Sequence, residues 1–156
     1  MSMELVFCDI DGTLCVPRYR DGDRYVVGFS DEGWAQYCRR TGKDGYADCI
    51  PVQPVVRYLT ERKAQGAELY VLSTSYSEEE TAAKVHFVKE HFPELFRDVI
   101  TVDSDDEKLT LMREMAGRSK VGLEDCEIVE DTYRTILKAN ELGIRTTHIS
   151  AIVCDL

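Results

Sequence analysis

Basic residues are in short supply in this 156-residue chain: 19 Lys and Arg stand against 29 Asp and Glu, a formal charge of −10. An extended polyanion such as duplex nucleic acid is therefore repelled except at a local basic patch, for which Arg18, Arg20, Arg39 and Arg40 are the candidates. Nowhere does the sequence approach the roughly 18 uninterrupted apolar residues of a membrane span. The N-terminus also lacks a charged leader with a cleavage site, and the expected compartment is the cytoplasm. There is no internal repeat, low-complexity tract or linker. Among the six cysteines no pair has the C-x-x-C spacing of a zinc or redox motif. Cys8 and Cys126 fall in apolar runs, where a thiol behaves as a small hydrophobe. Cys15, Cys38 and Cys49 share one irregular stretch, but their spacing does not match a compact zinc site, and reduced structural thiols are expected.

What the chain does have is a 44% apolar content, enough for one globular domain over residues 1–156 with a true core. The run E-L-V-F-C at 4–8 is as apolar as a buried strand, and it leads into D-I-D-G-T. Side chains of a strand repeat direction every two residues, so Asp9 and Asp11 are expected on one side, roughly 6 to 7 Å apart. Gly12 supplies the tight turn that ends the strand. A single Asp before Gly is an ordinary turn signal. Two acids at one strand mouth repel each other unless a cation, a proton or hydrogen bonds offset the charge, and that arrangement points to function.

After residue 50 strands and helices alternate. Helices are predicted over 51–65, 77–91, 106–116 and 132–142, and strands over 69–72, 99–102, 126–129 and 144–149. Ser77 followed by Glu78, Glu79 and Glu80 has the capping-box form. This order implies an α/β fold, a doubly wound, Rossmann-like parallel sheet with helices on both faces. Ligands in such sheets collect at the carboxyl ends of the strands.

Residues 15–50 interrupt the rhythm directly after the acid pair. R-Y-R-D-G-D-R-Y-V-V reads as a hairpin with a D-G turn, and 30–40 as a short helix stopped by Gly42. A flap here hangs over the acids. Trp34 and Tyr37 either pack this insertion against the sheet or offer an aromatic face to a substrate, and Arg18 or Arg20 a charge to its second anionic group.

The other strand ends add to the acids. Ser73, Thr74 and Ser75 precede a helix N-terminus and suit an anion such as phosphate. Lys108 sits in the first turn of a helix, where the dipole disfavours a cation, which hints at another duty. Glu130 and Asp131 arrive at the edge that carries Asp9 and Asp11. Several carboxylates with one lysine describe an oxygen-ligand cation site suited to Mg²⁺, and with the hydroxyls they describe phosphoryl transfer.

On D-I-D-G-T at 9–13, L-S-T at 72–74, Lys108, and V-E-D-T at 129–132, the sequence resembles the haloacid dehalogenase-like (HAD) superfamily, over nearly the whole chain apart from 15–50. The resemblance implies a Mg²⁺-dependent phosphatase acting on a small phosphorylated metabolite. It implies Asp9 as the nucleophile that forms an aspartyl-phosphate, Asp11 as acid/base, Ser73 or Thr74 as phosphate ligand, and Lys108 as the group that steadies both. Asp131 would hold Mg²⁺ with the Asp9 carboxylate and the Asp11 carbonyl, Glu130 standing beside it, while Thr135 occupies a position where many relatives place a further acid. A fainter likeness, in Y-V-L-S-T-S followed by H-F-V-K-E-H-F-P, is to small 5′(3′)-deoxyribonucleotidases. Phosphotransfer to another acceptor, nucleic-acid end processing and an idle binding module are the rival readings, and the intact Asp9, Asp11, Lys108 and Asp131 count against the last.

Overall fold

The computed structural model describes residues 3–154. Leu5–Cys8 (β1) is buried along its whole length, as its uninterrupted apolar run requires of a strand covered on both faces. The insertion follows as β2 (Cys15–Val16), the hairpin β3 (Tyr19–Asp21) and β4 (Arg24–Val26), and α1 (Asp31–Thr41). A 3-10 turn at Gly42–Asp44 and β5 (Ile50–Pro51) complete it. The chain then runs α2 (Gln53–Ala64), β6 (Glu68–Thr74), α3 (Glu78–His91), β7 (Asp98–Val102), α4 (Asp105–Ser119), β8 (Cys126–Glu130), α5 (Tyr133–Glu141), β9 (Arg145–His148) and α6 (Ile149–Val153).

Five strands form one parallel sheet in the order β7-β6-β1-β8-β9. Alternation divides their side chains between two cores. Val6, Cys8, Leu69 and Val71 face α2 and α3 through Val55, Leu59 and Phe87, whereas Leu5, Phe7, Tyr70 and Leu72 face α4 and α5 through Leu109, Met112 and Ala139. The chain winds first to one side of β1 and then to the other, so the crevice lies where β1 and β8 meet. The doubly wound expectation holds. No described helix is long and apolar enough to cross a membrane.

Serine side chains start three helices: Ser30, Ser77 and Ser104 accept from the backbone N–H of Gly33, Glu80 and Glu107, each cap worth about 1 kcal/mol. The box predicted at Ser77 is only half made. The Glu80 carboxylate accepts from Trp34 of the insertion and pairs with Lys84 one turn along α3, so these partners have claimed the group that the capping motif assigns to the Ser77 N–H. Helix α2 starts at Gln53 rather than at Pro51, because Ile50 and Pro51 stay extended to pair with Val16 and Cys15 and close the neck of the insertion. Ile149, expected at the end of the last strand, begins α6 instead.

The insertion forms the expected hairpin and helix, and its loop places Gly22 at φ +65°. It does not hang free. Tyr19, Tyr37 and Tyr46 belong to the same buried cluster as Val6, Cys8 and Phe87, so its core is continuous with that of the sheet. Of the thiols, Cys15 and Cys49 lie against each other, and among the described residues no group of cysteines is disposed to hold a metal.

Candidate active site

At the mouth of β1 the ladder runs one residue past the strand, the Asp9 N–H donating to Val129 O at 3.1 Å. Asp9 therefore continues the face of Leu5 and Phe7, toward α4. Thr74 continues the same face on β6 after Tyr70 and Leu72, and Glu130 does so on β8 after Ile128. From α4, Lys108 reaches two of them, with its Nζ 3.2 Å from Asp9 Oδ1 and 3.0 Å from Glu130 Oε2. Asp105 Oδ1 lies 3.4 Å from the same nitrogen. This explains a lysine in the first turn of a helix: its charge is spent on acids of the sheet, and the side chain is only 2% exposed.

Electrostatics here follow from burial. It pushes Asp9 up to about 7, with Lys108 opposing and Glu130 and Asp11 adding to the rise. Glu130 and Asp131 are raised for the same leading reason. Burial also opposes the Lys108 charge, but Asp9 and Glu130 more than offset it and hold the ammonium above its ordinary value. Each of Asp9, Glu130 and Asp131 offers a carboxylate oxygen, and these oxygens lie within 4.8 Å of one another. Three raised carboxylates around one point are stabilised by a hard cation, and an all-oxygen donor set suits Mg²⁺ rather than a soft metal. Glu130 is already engaged: Oε2 accepts from Lys108, and Oε1 from the N–H groups of Asp131 and Thr132. Among the described residues Asp9 and Asp131 are each engaged through Oδ1 only, by Lys108 and by the Thr132 hydroxyl, which leaves their Oδ2 atoms as the better-placed ligands. Gly12 makes room for the arrangement, since at φ +76° a Cβ on it would stand 2.6 Å from Asp131 Oδ2.

Asp11 corrects the simple alternation argument. The strand ends at Cys8, and Ile10 O then accepts from the N–H groups of Thr13, Leu14 and Cys15, a tight turn that rotates Asp11 toward the other face. Its carboxylate meets Tyr19 Oη at 2.5 Å, Tyr46 Oη at 2.8 Å and Lys84 Nζ at 3.3 Å. Among the described residues its side chain is not part of the candidate cation group, which leaves only its backbone carbonyl for that role. Lys84 is 1% exposed. It pairs with Glu80 at 2.9 Å, donates to Ser73 Oγ at 2.8 Å and also donates to Thr74 O. Ser73 is thus tied down on the α3 face, while Thr74 presents its hydroxyl on the face of Asp9.

The residues expected to set specificity sit differently from the expectation. Tyr37 is 4% exposed and donates to Gly45 O; packing has claimed it, and it offers no face to a ligand. Trp34 packs edge-on to Tyr19 and donates to Glu80 at 2.6 Å, yet it also lines a cavity of about 440 Å³ with Phe29, Asp31, Tyr76 and Glu80. In β3 it is Tyr19 that points to Asp11. Arg18 and Arg20 therefore lie on the opposite face, over the ring of Tyr25, turned away from the acids. Arg40 donates to Arg20 O.

Four residues of the site escaped the sequence reading: Lys84, Glu80, Tyr19 and Tyr46. A signal existed for two of them. Glu80 and Lys84 fall i, i+4 on the α3 stripe that also carries Ala83, Phe87 and Val88, and charges at core positions of a helix demand partners.

No family model matches the chain and no curated protein matches it. Solved structures do. A substrate-bound phosphoserine phosphatase superposes with a TM-score of 0.63 at 13% identity, covering 95% of this chain and 86% of that one. A phospho-aspartyl intermediate analogue of phosphoserine phosphatase gives 0.61 at 13%, covering 93% and 86%. A HAD-family enzyme from Bacteroides thetaiotaomicron, in complex with magnesium and inorganic phosphate, gives 0.53 at 13%, covering 94% of each chain. At such identities the likeness is one of fold: the chain has the HAD-like fold.

Proposed function

We propose that this chain is a Mg²⁺-dependent phosphatase of small phosphomonoesters that works through an aspartyl-phosphate. The observation that carries the reading is the trio of Asp9, Glu130 and Asp131 around one point, with Lys108 buried against Asp9. Fold neighbours that include a phosphoserine phosphatase, one of them a phospho-aspartyl analogue, and a HAD-family enzyme holding magnesium and phosphate support it.

In this reading Asp9 Oδ attacks phosphorus in line while the ester oxygen departs with a proton from Asp11. Water, deprotonated by Asp11, then attacks the phosphorus and frees Asp9. Mg²⁺, held by Asp9, Asp131 and the Asp11 carbonyl, would neutralise phosphoryl oxygens. Lys108 balances the negative charge around Asp9, Thr74 donates a hydrogen bond to a phosphoryl oxygen, and Glu130 orients Lys108 and the Asp131 loop. Trp34, Phe29 and Tyr76 form an aromatic cavity beside the Ser73–Thr74 strand end, which favours a leaving group with a flat ring and makes nucleotides the first substrates to try.

A panel of nucleoside monophosphates, sugar phosphates and p-nitrophenyl phosphate, each with Mg²⁺ or with chelator, tests the reading. Mg²⁺-dependent release of phosphate by the wild type and none by Asp9→Asn is the expected result. Transfer of phosphate to an added alcohol in preference to water would favour the phosphotransferase reading, and activity surviving in Asp9→Asn would end the mechanism.

A further inference from the structure

Asp11 is held from two distant points of the insertion at once. Tyr19 lies near its start and Tyr46 near its end, and both phenols converge on Oδ1, at 2.5 and 2.8 Å, while Tyr46 also reaches Oδ2 at 3.0 Å. Lys84 completes the set on Oδ2 at 3.3 Å. Both phenols are buried, Tyr46 at 1% and Tyr19 at 3% exposure. Burial and then Asp11 raise the ionisation of each well above a free phenol, so both remain donors. Three donors and no acceptor is the pattern that a carboxylate, not a carboxylic acid, satisfies. If Asp11 turned away, two buried hydroxyls would lose their acceptor, a costly state. Trp34, packed against the same cluster, ends on Glu80, which shares Lys84 with Asp11.

We infer that Tyr19 and Tyr46 are positioning residues that fasten the Asp11 carboxylate to the insertion and serve the hydrolytic half of the reaction. The inference rests on Asp11 being the acid/base group. In the first half, the Asp9–phosphorus bond forms, the ester oxygen–phosphorus bond breaks and the Asp11 proton goes to the leaving oxygen. The carboxylate left behind is the species that the two phenols and Lys84 complement. In the second half it accepts a proton from water as the water oxygen bonds to phosphorus and the Asp9–phosphorus bond breaks. The clamp makes Asp11 no stronger a base, since it stabilises the carboxylate from which this half starts; it serves the step by holding that carboxylate in one orientation toward the attacking water.

Tyr46→Phe and Tyr19→Phe remove one hydroxyl each and keep the packed ring. With p-nitrophenyl phosphate, whose leaving group needs no proton, kcat should fall about tenfold, the rate equivalent of one lost hydrogen bond. KM should fall alongside it, kcat/KM should stay within about twofold, and the acid-stable phosphoenzyme fraction should rise. Unchanged kcat, or a matching fall in kcat/KM with no phosphoenzyme build-up, overturns the inference. Amide hydrogen exchange tests the fastening without turnover. Asp11→Ala should speed exchange across 18–49 by about tenfold relative to wild type, and Asp9→Asn should not. Equal exchange in Asp11→Ala and wild type overturns the inference even if the protein proves to be a phosphatase. Faster exchange in Asp11→Ala, together with a wild type that hydrolyses no phosphoester, would sink the phosphatase reading and leave the fastening standing.

Discussion

Two lysines, each almost wholly buried, face each other across the sheet, and their surroundings differ in kind. Lys108 stands among the carboxylates of Asp9, Glu130 and Asp105, on the face covered by α4. Lys84 stands among mixed acceptors, the carboxylates of Asp11 and Glu80, the Ser73 hydroxyl and the Thr74 carbonyl, on the face covered by α3 and the insertion. Both groups hold more carboxylates than lysines, and under the proposed function the excess of the first is met by a cation. The second is fully satisfied by its own donors, so it holds a position. The proposed function makes the first side the reactive one, where the phosphoryl group is received, and the second the orienting one, which holds the acid/base Asp11 in place.

The widest separation is expected at the two aspartates. Asp9→Asn should lower turnover by about 10⁴-fold or more, as loss of a nucleophile does, with the melting temperature retained; comparable turnover in pure protein contradicts a nucleophilic Asp9. Asp11→Asn should cost about a hundredfold, and less with p-nitrophenyl phosphate than with an alkyl ester in the phosphorylation step.

Exchanging each lysine for Met breaks the comparison directly. Either change leaves buried acids without their counter-charge, so both variants should lose about 3 to 5 kcal/mol in denaturant unfolding. Activity per folded molecule should separate them: Lys108→Met down by about a hundredfold, Lys84→Met by about tenfold. Equal losses would mean that the two faces do not divide the work.

Proton and cation compete on the reactive side alone. In the metal-free protein Asp9 is pushed up to about 7, against an unfolded value near 4. Its contribution to stability is therefore full below about pH 4 and is lost as the pH rises through 7. Under the proposed function Mg²⁺ takes the place of that proton. The gain in melting temperature on adding Mg²⁺ should be larger at about pH 8 than at about pH 5.5, and an inverted order would remove Asp9 from the ligand set. The smallest effect belongs to the orienting side. Trp34→Phe deletes the indole donor to Glu80 while keeping a ring, and should cost about 1 kcal/mol. A larger drop in kcat/KM for the best natural substrate than for p-nitrophenyl phosphate would assign Trp34 to the substrate cavity, and equal drops would leave it as packing.

The reactive side was legible because its signals are local. Two acids after an apolar run, V-E-D-T after another, and a lysine in a helix's first turn are each odd within a few residues, and strand–helix alternation brings them to one edge. The orienting side was not. Asp11 was read as the twin of Asp9 because the period of two was carried past the end of the strand, where the Ile10 turn breaks it. Arg18 and Arg20 were assigned to the substrate although the residue between them, Tyr19, is the one that faces the site.

By itself the sequence determined the doubly wound sheet, the edge on which the candidate site gathers, and the acids and lysine that meet there, because periodicity and strand ends are properties of short stretches. Only the tertiary structure tied Ser73 to Lys84, sent Asp11 to the insertion, buried Tyr37, turned Arg18 and Arg20 outward and gave Glu80 to Trp34 and Lys84. Those outcomes turn on which partners the packing brings within reach of a polar group, at separations that run from one helical turn to distant parts of the chain.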